Sequence, residues 1–352
     1  MQKLLKNEKL FSVTVPILAA ILGMLVGAII MVLGNYDPVA GFSALFDGMF
    51  GSPKAFGETI RAASPLILAG IAVAFAFRTG LFNIGVEGQL LVGWLASVWV
   101  GYAFNLPAII HVPLAIVAAA IAGGIWGMIP GFLKARFKVH EVIVTIMLNY
   151  VALHVTANLI KTYLYAGNEK SYKVQESATL SSQFLATLTE NSRLHWGIVV
   201  ALIAAMIMWF ILEKTSRGFE LRSVGFNQHA SMYAGMNVPK NIVLSMSISG
   251  AFAGVAGAME GLGTFQNMTV LSAFTGTGFD GIAVALLGAN NPIGIVLAAI
   301  LFGGLNTAAP QMNFDANVPS ELVEIIIALI IFFVASSYII RIVLSRFSKE
   351  GK

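Results

Sequence analysis

GLFNIGVEGQLLVGWLASVWVGYAF (residues 80–104) sets three strongly polar side chains, Asn83, Glu87 and Gln89, among glycines at the head of an apolar run that starts at Ile84 and continues to Phe104. A bilayer core about 30 Å thick needs roughly 20 apolar residues in a helix. Ile84 to Phe104 meets that length, and the chain repeats the pattern. Comparable runs cover residues 11–34, 58–77, 108–132, 139–160, 196–212 and 241–262, then 293–309 and 320–344, with a shorter piece at 281–289. That makes about ten segments, the 281–289 piece being too short to span unaided. The runs are continuous, whereas strands of a membrane barrel alternate apolar and polar over about ten residues. The expected fold is an all-α integral membrane protein with re-entrant or broken segments.

Composition agrees. Of 352 residues, 57% are hydrophobic and 11% charged, against about 25% charged in soluble proteins. Too little polar surface remains to cover a water-soluble globule, which excludes a soluble enzyme, a nucleic-acid binder and a disordered chain. There is no cysteine, hence no disulfide, thiolate metal site or Cys nucleophile. The first run follows Lys3, Lys6 and Lys9, but its apolar core is longer than a signal peptide's and no small-x-small cleavage site follows. It is expected to be retained as a span.

Lys and Arg near segment ends set orientation. With the N-terminus in the cytoplasm, the inner segments hold Lys3, Lys6 and Lys9; Arg78; Lys134, Arg136 and Lys138; Lys214, Arg217, Arg222 and Lys240; and Arg341, Arg346, Lys349 and Lys352. Lys54, Arg61, Lys161, Lys170, Lys173 and Arg193 stay outside. Both termini are then cytoplasmic, which requires an even number of crossings. The net charge of +4 reflects topology and calls for no nucleic-acid partner.

Three connections stand out within what reads as one transmembrane domain over 1–352. The extracytoplasmic loop, 161–195, is long and polar; it is either a solvated linker or a docking platform for an external protein. The cytoplasmic loop, 213–240, reads EKTSRGFELRSVGFNQHASMYAGMNVPK. Asn227 is a good N-cap, and Gly235 sits where a helix stop prefers glycine. Ala230, Tyr233 and Ala234 fall at i, i+3 and i+4 with Tyr as anchor. This short helix suits insertion into a groove on a partner, or is an ordinary amphipathic loop helix. The outer stretch 263–280, GTFQNMTVLSAFTGTGFD, is rich in Gly and Thr and leads into the short eighth segment. Irregular backbone at membrane depth requires surrounding protein or a water-filled cavity, so a re-entrant or broken element is expected here. Residues 80–84 (GLFNI) are weakly echoed by residues 278–282 (GFDGI), as in transporters built from related halves.

Enzyme chemistry finds no foothold. G-x-x-x-x-G-K-[ST] is absent; His140-Glu141 lacks the second His of a zinc-protease helix, position 144 being Val; and the five histidines are scattered. Ionisable residues within membrane segments are functional candidates, because leaving them unpaired in lipid is costly. Glu58 and Arg61 share a helical face and read as an internal ion pair, and Glu141, near Lys138 at a helix start, reads as structural. Glu87, Asn83 and Gln89 either lock two helices by hydrogen bonds or line a translocation path. Asn149, Asn158 and Asn306 are in-span amides with the same two readings. Trp94, Trp99 and Trp126 either stack on a planar ligand or form an interfacial belt.

GLFNIGVEGQLLVGW (residues 80–94) and RGFELRSVGFNQHASMYAGMN (residues 217–237) together resemble the ABC permeases of the branched-chain amino acid, ribose and nucleoside uptake group. The chain is most similar to the larger permeases of bacterial purine-nucleoside importers that work with a BMP-type lipoprotein. The resemblance covers nearly the whole chain. It implies a multi-pass permease of the bacterial cell membrane that takes up nucleosides such as guanosine. Its partners would be a separate ATPase subunit that binds ATP and Mg, a second homologous permease and an extracytoplasmic substrate-binding lipoprotein, with no cofactor on this chain. It also implies that Asn227, Ala230, Tyr233, Ala234 and Gly235 form the coupling helix. For Asn83, Glu87, Gln89, Trp94, Asn149 and Asn306 it leaves path lining and helix locking both open. A permease for a simple sugar such as ribose is the alternative, and an ion-coupled carrier a further one, although the latter would hold an acidic or His relay deep in the membrane.

Overall fold

The structure is a computed structural model that describes residues 8–336; Lys3, Lys6, Arg341, Arg346, Lys349 and Lys352 lie outside it. In chain order the main helices are α1 (Glu8–Leu33), α2 (Pro38–Phe50), α3 (Pro53–Arg78), α4 (Val86–Ala103), α5 (Ala108–Phe137) and α6 (Glu141–Leu159). There follow α7 (Gln183–Leu188), α8 (Gly197–Lys214), α9 (Ser216–Phe226), α10 (Gln228–Tyr233) and α11 (Val238–Ala258), then α12 (Thr277–Leu287), α13 (Pro292–Ala316) and α14 (Glu321–Ala335). Among the described residues the only sheet is a two-stranded hairpin, β1 (Tyr165–Gly167) with β2 (Lys170–Ser171). The all-helical expectation therefore holds. Among the described residues, seven helices are long and apolar enough to cross a membrane: α1, α3, α5, α6 with its π-helical extension, α8, α11 with its own, and α13.

Three helices lay outside the sequence expectations. Asp37 caps α2, its side chain accepting from the Val39 and Ala40 amides with Pro38 in the first turn. Thr215 caps α9 in the same way, accepting from Gly218 N–H. The third is α7, a six-residue helix inside the outer connection.

Size sorts the faces of these helices. Along α5, Ala115, Ala119, Gly123, Gly127 and Gly131 recur every fourth residue and are buried, while Ile109, Ile121, Ile125 and Phe132 point outward. Lipid is as apolar as Leu, so membrane helices associate where small residues let backbones close up. Here they close on α11. A β-carbon at Gly123 would lie 2.7 Å from Gly254 Cα, and one at Gly127 would lie 2.5 Å from the Met246 carbonyl oxygen. One at Gly254 would run into the Ala119 carbonyl oxygen, and one at Gly257 into that of Leu90 on α4. Behind this sheaf stands α3, buried without a break from Ala63 to Ala76, with α4, α8, α11, α12 and α13 packed around it.

Between α3 and α4, residues 79–85 are non-helical; between α11 and α12, residues 265–276 are irregular. The first turns of α4 and α12 meet, since a β-carbon on Gly278 would press on Glu87 Cα at 2.5 Å. Segment 278–282, within α12, thus starts beside α4, the helix that follows segment 80–84. The connection 161–195 is no free linker: Ser171 N–H donates to the Met268 carbonyl, Val174 N–H to that of Gln266 and Leu180 N–H to that of Leu262. It is laced onto the irregular segment and covers it.

Gly254→Leu is expected to force α5 and α11 apart and to cost about 3 kcal/mol or more, the upper range for overpacking. Thermal unfolding of the purified protein in detergent should show a clear drop in midpoint, whereas Ile121→Leu on the outward face should leave it unchanged.

Candidate functional site: a buried polar junction and an exposed short helix

Helix α12 begins inside the protein, so its first amides have no preceding turn to donate to. Glu87 supplies the acceptors. Its Oε1 accepts from Thr275 N–H (2.7 Å), Thr275 Oγ1 (2.7 Å) and Gly276 N–H (3.1 Å), and its Oε2 from Gly278 N–H (2.6 Å). Glu87 is 0% exposed. A carboxylate at a helix N-terminus also faces the positive end of the helix dipole. Gly276, at φ +85°, makes the turn that brings these amides together.

The remaining polar residues of that stretch form a second knot. Asn83 donates to Gln89 Oε1 and Ser249 Oγ, each at 2.8 Å, and accepts from Gln89 Nε2 at 3.2 Å and Gly85 N–H at 3.0 Å. Ser249 in turn donates to the Ala72 carbonyl at 2.6 Å, tying α3, α4 and α11 together. Asn149 on α6 accepts from Gly88 N–H at 2.9 Å and donates to the Ile84 carbonyl at 3.0 Å. Trp94 donates from Nε1 to the Asn267 carbonyl and stacks on Phe265 at 5.4 Å. Asn83, Glu87, Gln89, Trp94 and Asn149 are all buried, with their polar atoms satisfied by protein in this conformation. Asn306 differs: it lies on the exposed side of α13, and its Nδ2 donates to Asp280 Oδ2 at 3.3 Å. Asn158 is exposed on α6, well away from this junction.

Early in α3, Arg61 bonds Glu58 at 2.7 Å, as the spacing predicts, and Arg193 adds a second cation at 3.2 Å. Glu141 pairs with Lys134 at 2.6 Å rather than with Lys138. Lys138 ends α5 in a left-handed conformation, whereas Lys134 lies one turn back and faces the start of α6. His195, in the outer connection, is buried between Gly197 and Gly263 and accepts from Gly197 N–H at 3.1 Å. Burial, aided by Arg61, lowers its pKa to about 4 and keeps it neutral.

The expected short helix is present as α10. Asn227 accepts from Ala230 N–H at 3.0 Å, and Gly235 takes φ +83°. Ala230, Ala234 and Gly235 are exposed, and Tyr233 is 89% exposed. Phe226, 90% exposed immediately before the cap, and Met232 extend this apolar surface. Sequence reading missed both, although an aromatic just ahead of an N-cap Asn was there to be noticed. From here a chain of contacts leads inward. Gly225 at the end of α9 packs on Gly80, whose added β-carbon would lie 2.6 Å from Gly225 Cα, and Glu213 joins Arg78 and Arg222 in one ion triad. Thr79 bonds Ser245 on α11.

This architecture is that of a multi-pass membrane permease. Residues 56–335 match the family described as branched-chain amino acid transport system permease component, and the chain belongs to that family. It is 62% identical over 344 residues to the guanosine ABC transporter permease protein NupP of Bacillus subtilis, covering 98% of this chain and 99% of that one. The nucleoside ABC transporter permease protein NupB of Lactococcus lactis is 40% identical (97% and 95% covered). The glucose ABC transporter permease protein TsgB13 of Haloferax volcanii is 35% identical (92% and 87%). As in these relatives, the role is that of a membrane translocation component, not of a catalytic subunit.

Glu87→Ala leaves the donors of Thr275, Gly276 and Gly278 without acceptors, each unmet group costing about 1–3 kcal/mol. It is expected to lower the unfolding midpoint strongly. Glu87→Gln, which keeps one acceptor oxygen, should lose less, and a differential scan of both variants ranks them.

Proposed function

We propose that the chain is the larger membrane subunit of an ATP-driven importer of nucleosides, guanosine among them. The supporting observation is the near full-length likeness to the guanosine permease at 62% identity. The likeness to a glucose permease at 35% keeps a sugar as the second reading.

On this reading the chain crosses the membrane about ten times with both termini in the cytoplasm. To the seven long helices are added α4, α14, and one crossing in which irregular residues 265–276 descend from outside and α12 completes the passage. A substrate-binding lipoprotein delivers the ligand outside. A second permease closes the path along the exposed side of α12 and α13, where Asn306 sits. Asn83, Glu87, Gln89, Trp94 and Asn149 hold the wall of that path in register from behind.

A separate ATPase subunit binds ATP and Mg and receives α10. Closure of the ATPase moves α10 and the end of α9, and the Gly225–Gly80 contact passes that motion to residues 79–85. From there Asn83 and Glu87 carry it to α11 and α12, tilting the junction from inward- to outward-facing. Selectivity needs strong differential affinity only in the binding protein, so the permease can hold its ligand weakly.

In uptake assays, cells lacking this chain should lose labelled guanosine uptake, and in intact cells only nucleosides should compete with it. Lost ribose or glucose uptake with nucleoside uptake unchanged would move the assignment to a sugar. Tyr233→Asp should abolish uptake and its coupling to ATP hydrolysis at normal membrane abundance; undiminished uptake would show that α10 is not the coupling helix.

A further inference from the structure

Asp280 stands apart from every other carboxylate at the junction. Glu87 is filled by four donors, and Glu58 is held by two arginines. Asp280, in the first turns of α12, has a single side-chain bond, from Asn306 Nδ2 to its Oδ2. Among the described residues its Oδ1 and the Asn306 carbonyl oxygen accept nothing. Asn306 lies 14 residues into the 25-residue α13, about 21 Å along its axis, well within the depth of a bilayer core. A carboxylate–amide pair at that depth does not face lipid; it faces an aqueous or protein-lined space.

Beside the pair runs a strip of aromatic rings. Phe279 precedes Asp280 and is 36% exposed. Its ring meets that of Phe274 edge-on at 5.7 Å, and Phe274 meets Tyr150 at 5.0 Å. Tyr150 is half exposed. The exposed Phe279 ring, one residue away from the open carboxylate and held edge-on by Phe274, offers an aromatic partner to a planar base that carries adjacent donors on one edge.

We infer that Asp280, oriented by Asn306, and Phe279 form a weak transit site that reads the donor edge of a purine nucleoside. Guanine offers the N1–H and the 2-amino group side by side, which a carboxylate accepts as a pair. Adenine presents an acceptor at N1 and is disfavoured. Glu87 and Glu324, the charged neighbours of Asp280, add negative potential that repels phosphorylated nucleosides. The inference rests on the nucleoside reading above, and it adds a selectivity step after delivery by the binding protein.

The test uses the complete importer reconstituted with its binding protein, at nucleoside concentrations that saturate delivery. The maximal rates for guanosine, adenosine and 2′-deoxyguanosine then report the permease. Asp280→Asn should lower the guanosine-to-adenosine ratio about tenfold, one charge-assisted hydrogen bond's worth, with 2′-deoxyguanosine following guanosine. Asn306→Ser should shift the ratio the same way by less, and it serves if Asp280→Asn fails to reach the membrane. Phe279→Leu should slow both purines and keep their ratio. An unchanged ratio in Asp280→Asn and Asn306→Ser overturns the inference. So does an equal loss for both ribonucleosides with 2′-deoxyguanosine spared, which would place the carboxylate on the ribose. If the wild-type importer moves no nucleoside at all, the functional reading itself fails, a result distinct from either.

Discussion

A helix that begins inside a hydrocarbon layer exposes amide hydrogens that neither lipid nor a preceding turn can satisfy. The carboxylate of Glu87 answers that constraint for α12. Because Glu87 rides on the first turn of α4, the same bonds fix the start of α12 to the start of α4. The rest of the junction is built around this contact. Asn149 performs a smaller version of the service for α4 by accepting from Gly88 N–H, and Asn83 closes the non-helical stretch before it.

Around the junction, stability comes from close approach rather than from a hydrophobic drive. The stripe Ala115, Ala119, Gly123 and Gly127 lets α5 touch α11 backbone to backbone, while large aliphatic residues turn toward lipid. This reverses the sorting of a soluble protein, in which large side chains go inward. It also leaves the bundle rigid where helices touch, and mobile, on the proposed mechanism, only where the chain is interrupted.

The exposed helix α10 connects with that junction through short steps. Gly225 on Gly80, Arg78 with Glu213 and Arg222, and Thr79 with Ser245 join the end of α9, just before α10, to the core helix α3 and to α11. Each step is a packed or hydrogen-bonded contact with little slack, which is what a proposed relay between a nucleotide-driven partner and a substrate path requires.

Much of this was written in the sequence by itself. Continuous apolar runs determined a helical membrane protein, Asn227 and Gly235 bounded the short helix α10, and the Glu58–Arg61 spacing gave their pair, because each depends on neighbours a few residues away. The Gly- and Thr-rich stretch 263–280 announced a broken segment for the same local reason. Only the tertiary structure decided what the polar residues do. Glu87 meets amides nearly 190 positions later, Asn83 meets Ser249, and Asp280 is left with a single amide partner. Lys134, not the nearer Lys138, pairs with Glu141, because the end of α5 turns Lys138 away. Hydrogen bonds between distant segments carry no sequence period, so a buried lock and an open acceptor read alike until the helices are packed.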